Sequence, residues 1–192
     1  MTMTSRTEPR SGPKVGRLLI GGLWLAGGAL WIAAGIADGG SLEPIWIAAD
    51  VLLLAGLLGL WTSPSNHPTR AASMGLGIAI AGRVCFIAAE LLAIVQASDE
   101  NALLPLAALS TAVGMTLFGA AILRHRAWPG ASRFSALAMG VYPFVAMFPY
   151  VAVTGEPSIA AITVWGIPTM LVGLAIVRIP ELRSAPKAIQ SH

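Results

Sequence analysis

Apolar residues fill six stretches of this chain, at about 16–37, 44–62, 72–97, 102–123, 134–154 and 157–179, each near the roughly 20 helical residues that cross a hydrocarbon layer. Within them polar positions are sparse and do not alternate with apolar ones, so the dyad pattern of a barrel strand is missing. Helix is the form that satisfies every backbone N–H and C=O inside its own segment in lipid. The pattern therefore predicts an all-α fold: a polytopic membrane bundle of six transmembrane helices over 16–179, with tails at 1–15 and 180–192.

The polar residues between the runs fix a topology. Arg6, Arg10, Lys14 and Arg17 precede the first run, Arg70 follows the second, Arg124, Arg126 and Arg133 flank the fourth connection, and Arg178, Arg183 and Lys187 follow the sixth. The other connections carry acids only: Asp38 and Glu43, Asp99 and Glu100, and Glu156. Of the 12 Lys and Arg residues, all but Arg83 fall on alternate connections. By the positive-inside rule this predicts both termini on the cytoplasmic side, N-in/C-in, in a cytoplasmic membrane.

Local signals follow the same layout. Glu43-Pro44 and Glu156-Pro157 place an acid and a proline at outer helix starts, and Asp99, Glu100 and Asn101 do so for the fourth helix. Trp46 and Trp61 stand near the two ends of the second run as interfacial anchors, and Trp128 in the basic connection is expected at the headgroups. The first run is longer than the about 7–15 apolar residues of a signal peptide, so it is read as a retained helix. The runs beginning after acids at 43, 100 and 156 contain LLGLW, LFGAA and LVGLA. An internal repeat of helical hairpins gives that spacing, and so does any six-span chain with short loops; both readings stay open.

Composition agrees with a lipid solvent: 56% hydrophobic, 11% charged, mean hydropathy +0.75. One cysteine, Cys85, excludes an intramolecular disulfide and a cysteine metal cluster. The net charge of +3 arises from the basic connections rather than from a basic-aromatic stripe, so no nucleic-acid partner is expected. The expected partners are the lipid bilayer and either further copies of the chain or a membrane complex.

Charge inside the runs carries the candidate chemistry. Arg83 lies near the middle of the third run, where insertion costs about 2.5–3.5 kcal/mol and requires protein, water or an acid around it. Glu90, seven residues on, is about 20° from the same face and about 10 Å along the axis. Asp50 in the second run falls at a similar depth to Glu90, which makes Asp50, Arg83 and Glu90 a candidate intramembrane cluster. Two carboxylates beside one guanidinium sum to −1 when all are ionised, which low dielectric disfavours and a proton on one acid relieves. Such a cluster serves proton-coupled transport, or it is an ion pair that fixes helix packing.

Prolines mark a second candidate region. YPFVAMFPY, 142–150, holds Pro143 and Pro149 between Tyr142 and Tyr150, and VWGIPTM holds Trp165 and Pro168. Each proline removes a helix hydrogen bond, and the freed carbonyls either line a cavity or only bend the helix. Tyr142, Pro143, Pro149, Tyr150, Trp165 and Pro168 are the candidate lining. Trp24 and Trp31 share a face of the first helix, and Gly21, Gly22, Gly27, Gly28 and Gly35 with Gly75, Gly77 and Gly82 favour close helix packing.

Enzyme signatures are sparse. His67, His125 and His192 all lie outside the spans, no HExxH, GxSxG or phosphate loop occurs, and Cys85 lacks a histidine partner. No catalytic residue, metal or cofactor is assigned. The segment AAILRHRAWPGASRFSALAMGV, 120–141, resembles the helix-turn-helix of uncharacterised small polytopic membrane proteins of high-GC actinobacteria, although in those turns Trp usually follows the Pro. That resemblance implies a bacterial plasma-membrane address and no activity. The function expected is a non-enzymatic structural or regulatory subunit with a buried charge cluster; the alternative is a small proton-coupled transporter or channel.

Overall fold

The computed structural model describes residues 13–37, 43–63, 69–96 and 102–179. The distal tails, Asp38, His67, and Asp99, Glu100 and Asn101 lie outside the described residues. Among those described there is helix and no strand. The helices are α1 Pro13–Ile36, α2 Glu43–Thr62, α3 Arg70–Gln96, α4 Leu103–His125, α5 Ser135–Tyr142, α6 Phe148–Thr154, α7 Ile159–Val164 and α8 Gly166–Arg178. A 3₁₀ turn, Gly130–Phe134, leads into α5, and a π-helical turn, Pro143–Met147, joins α5 to α6. They compose six helices long and apolar enough to cross a membrane, the fifth at Gly130–Thr154 and the sixth at Ile159–Arg178.

The fifth and sixth spans differ in detail from the sequence pattern. Pro149 has no N–H for the Val145 carbonyl, and the Phe148 amide bonds the Pro143 carbonyl instead, so the helix widens and continues rather than breaking. The sixth span starts at Ile159 with Ser158 as its cap, the Ser158 hydroxyl accepting from the Ala161 amide at 3.2 Å. Glu156-Pro157 therefore precedes the helix instead of opening it. This span also breaks once, at Trp165, a turn before Pro168.

Each span packs against its sequence neighbours, and α8 returns to α1, so the spans form a closed ring. Glycines set the closest seams. A Cβ on Gly21 would stand 2.8 Å from the Gly173 carbonyl, and one on Gly166 would stand 2.8 Å from the Gly28 carbonyl, so α1 and α8 run antiparallel at backbone contact. Gly75 and Gly82 meet α4 backbone in the same way, at Phe118 and Thr111. Gly22 has nothing near its Cβ position.

Antiparallel neighbours place Arg17, Arg70, Arg124, Arg126, Arg133 and Arg178 at one end of the ring. Arg17 closes that end by donating from Nη1 to the Ile179 carbonyl at 2.8 Å, an acceptor left over past the last turn of α8. The fourth connection turns there through Arg126 in the left-handed region, φ 50°, with the Ala127 amide bonded back to the Ile122 carbonyl. Trp128 folds inward from this turn onto Phe118, centroids 5.8 Å apart, and is 2% exposed. It is a core residue and not the headgroup anchor its position in a basic loop suggests.

Candidate functional site

A ring of six helices leaves space on its axis, and here large side chains occupy it. Trp24, Trp31, Trp165, Arg83, Phe86 and Phe118 are all buried. Arg83 lies midway along α3, about 20 Å of helix from either end. It is 1% exposed and Asp50 is 0% exposed. Nη1 of Arg83 donates to Oδ1 of Asp50 across the α2–α3 seam as a buried ion pair.

Three aromatic rings enclose the same guanidinium. Its Cζ lies 5.1 Å from the Trp31 ring centroid, 5.2 Å from Phe86 and 5.0 Å from Trp165. The rings meet edge to face, Trp31 with Trp165 at 5.6 Å and with Phe86 at 6.0 Å, and Trp46 backs Trp31 at 4.7 Å. A guanidinium over a ring face is favourable by about 0.5 to 2 kcal/mol each, more when water is excluded. Charge and π-faces together give the buried guanidinium the partners that an apolar interior otherwise denies it.

The proline positions explain how Trp165 is held. Pro143 has no N–H for the carbonyl of Met139, four residues earlier, and the Trp165 indole supplies one, Nε1 to the Met139 oxygen at 3.0 Å. At the break in the sixth span, the Ile162 carbonyl accepts from Trp31 Nε1 at 2.8 Å and the Ala161 carbonyl from the Tyr142 hydroxyl at 3.0 Å. Two aromatic donors therefore orient the cage while satisfying α7 and α5. Through these contacts Arg83 on α3 is tied to α1, α2, α5 and the sixth span.

Glu90 stands near both Asp50 and Arg83, as expected of the cluster, while the ion pair itself joins Arg83 to Asp50 across to α2. Glu90 is half-buried, and its Oε2, the Oδ2 of Asp50 and the Nε of Arg83 are buried without a hydrogen-bond partner.

The second candidate set separates. Trp165, Pro143 and Pro168 are buried and Tyr142 is half-buried, all in the packing just described. Pro149 is exposed and Tyr150 is 46% exposed on the outward face. An open cleft of about 260 Å³ does lie between the fifth and sixth spans, at their basic end, but none of the six expected residues lines it. Its walls are chiefly Phe134, Ala138, Leu171 and Leu174, with Arg178 at the rim. The sequence reading left out Phe86, one turn from Arg83 on the same face of α3, and treated Trp31 as packing; the signal available was an arginine mid-span with aromatics at similar depth on neighbouring helices. No metal-binding group of three or more His, Cys, Asp or Glu occurs among the described residues. In comparisons with known proteins the chain matches no family model, no curated protein and no solved structure.

Proposed function

We propose that this is a multi-pass protein of a bacterial cytoplasmic membrane, N-in/C-in, acting as a non-enzymatic structural or regulatory subunit, with Arg83–Asp50 as the lock that fixes its helix arrangement. The observation that carries this reading is the enclosure of the guanidinium by Asp50 and by three rings from separate elements, with the ion pair shut away from solvent. A transported ion needs an approach and a departure, whereas a lock needs neither. The alternating basic connections and the resemblance of residues 120–141 support the orientation and the membrane named.

A second reading, a proton-coupled carrier, is favoured by one feature: Glu90 adjoins the ion pair with a buried, unpartnered carboxyl oxygen while being less enclosed than the pair itself. The two readings separate in one experiment. Arg83→Met leaves Asp50 buried without its counter-charge and is expected to lower stability by about 3–5 kcal/mol, while Arg83→Met with Asp50→Leu recovers most of that loss. Unfolding in mixed micelles measures this. In liposomes carrying a pH-sensitive dye, the wild type is expected to pass protons no faster than empty vesicles. A flux that Glu90→Gln abolishes without unfolding the protein would overturn the lock and establish the carrier.

A further inference from the structure

The seam between the fifth and sixth spans joins α5 and the 3₁₀ turn to α8, and the π-helical turn to α7. Gly166 and Gly173 of α8 are engaged with α1, and Gly140 of α5 with Thr116 of α4, so neither helix has a glycine left for the other. The result is the cleft at the basic end. Its wall residues Phe134, Ala138 and Leu171 are exposed, so it opens on the outer surface of the bundle and away from the filled axis. The 3₁₀ turn at the start of the fifth span forms one side and the last turn of the sixth forms the other, which puts its mouth where apolar helix gives way to basic connection.

Among the described residues the charge at that mouth is one-sided. Arg178 is on the rim, and Arg133, between the lining residues Ser132 and Phe134, lays its guanidinium over the Phe134 ring at 4.9 Å with its Nε buried and without a hydrogen-bond partner. Acids among the described residues are Glu43, Asp50, Glu90 and Glu156, none of them at this end. A guanidinium on the rim of an apolar slot, with a second stacked on its lining Phe134, matches a ligand that carries a phosphate and a hydrocarbon chain together. We propose that the cleft binds one anionic phospholipid of the adjoining leaflet, its phosphate between Arg133 and Arg178 and an acyl chain along Phe134, Ala138, Leu171 and Leu174.

This rests on the membrane reading above but not on the lock, and its test keeps them apart. The protein is purified in a neutral detergent, stripped of lipid, and titrated with phosphatidylglycerol or with phosphatidylcholine of the same acyl chains, adducts being counted by native mass spectrometry. One tightly held phosphatidylglycerol per chain is expected, weakened about fivefold by each of Arg178→Gln and Arg133→Gln. Ala138→Trp, which fills the slot and spares both arginines, is expected to abolish it. Equal retention of the two lipids, indifference to Ala138→Trp, or equally tight binding of glycerol phosphate without chains would each overturn the proposal. So would binding that emerges only when residues 180–192 are deleted, because the chain's own C-terminal segment would then be the occupant. Extraction of the chain from membranes by alkaline carbonate would instead defeat the membrane reading itself.

Discussion

At the scale of single residues, Pro143 and Trp165 form a unit through a carbonyl that belongs to neither. The proline strands the Met139 oxygen and the indole recovers it, with the Trp165 ring then aimed at Arg83. Trp165→Phe keeps a ring beside the guanidinium but leaves that buried oxygen unpaired, and is expected to destabilise by about 1–3 kcal/mol. In a Pro143→Ala background the restored amide can serve Met139, so the same substitution should cost clearly less; additive losses across the cycle, measured by unfolding, would contradict the coupling. Asp50 was legible as a partner of Arg83 because helix rise converts sequence position to depth. The cage was not, because depth says nothing of which helix faces which, and Trp31, Phe86 and Trp165 converge only once the ring has closed.

At the scale of elements, the glycines divide the helix faces into those that accept a backbone and those that do not. Gly21 lies 2.8 Å, in Cβ terms, from a carbonyl that cannot yield, whereas Gly22 faces open space. Gly21→Ala is therefore expected to cost about 1–3 kcal/mol by overpacking the α1–α8 seam. Gly22→Ala should fall within about 0.5 kcal/mol of wild type in the same assay. The sequence marked the six spans clearly because their apolar runs are long and their connections charged. It marked the glycines as packing residues without distinguishing these neighbours. The interruption at Trp165 was signalled by Pro168, three residues on, which denies a donor to the Val164 carbonyl and crowds that turn.

At the scale of the whole molecule, the ring is closed and its axis is filled, so tryptophans report on two distinct environments. Trp128 is enclosed against Phe118 although it belongs to a connection, while Trp61 at the end of α2 is 43% exposed. In bilayers containing brominated lipids, a variant retaining only Trp61 is expected to be quenched strongly. One retaining only Trp128 should be spared, both by those lipids and by aqueous iodide. Strong quenching of Trp128 would show that the fourth connection lies against headgroups instead of folding under the bundle.

Closure of the ring by its first and last members has a consequence for synthesis. Helices leave the ribosome in order, so α1 meets α2 early but waits for α8 before the groove around Gly21 and Gly28 is covered. Arg83 is made after Asp50 and Trp31 and just before Phe86, and its guanidinium stays open on one flank until Trp165 arrives. A nascent chain halted after the fifth span would carry a half-sheltered cation and a bare glycine groove, two exposures that the finished chain lacks.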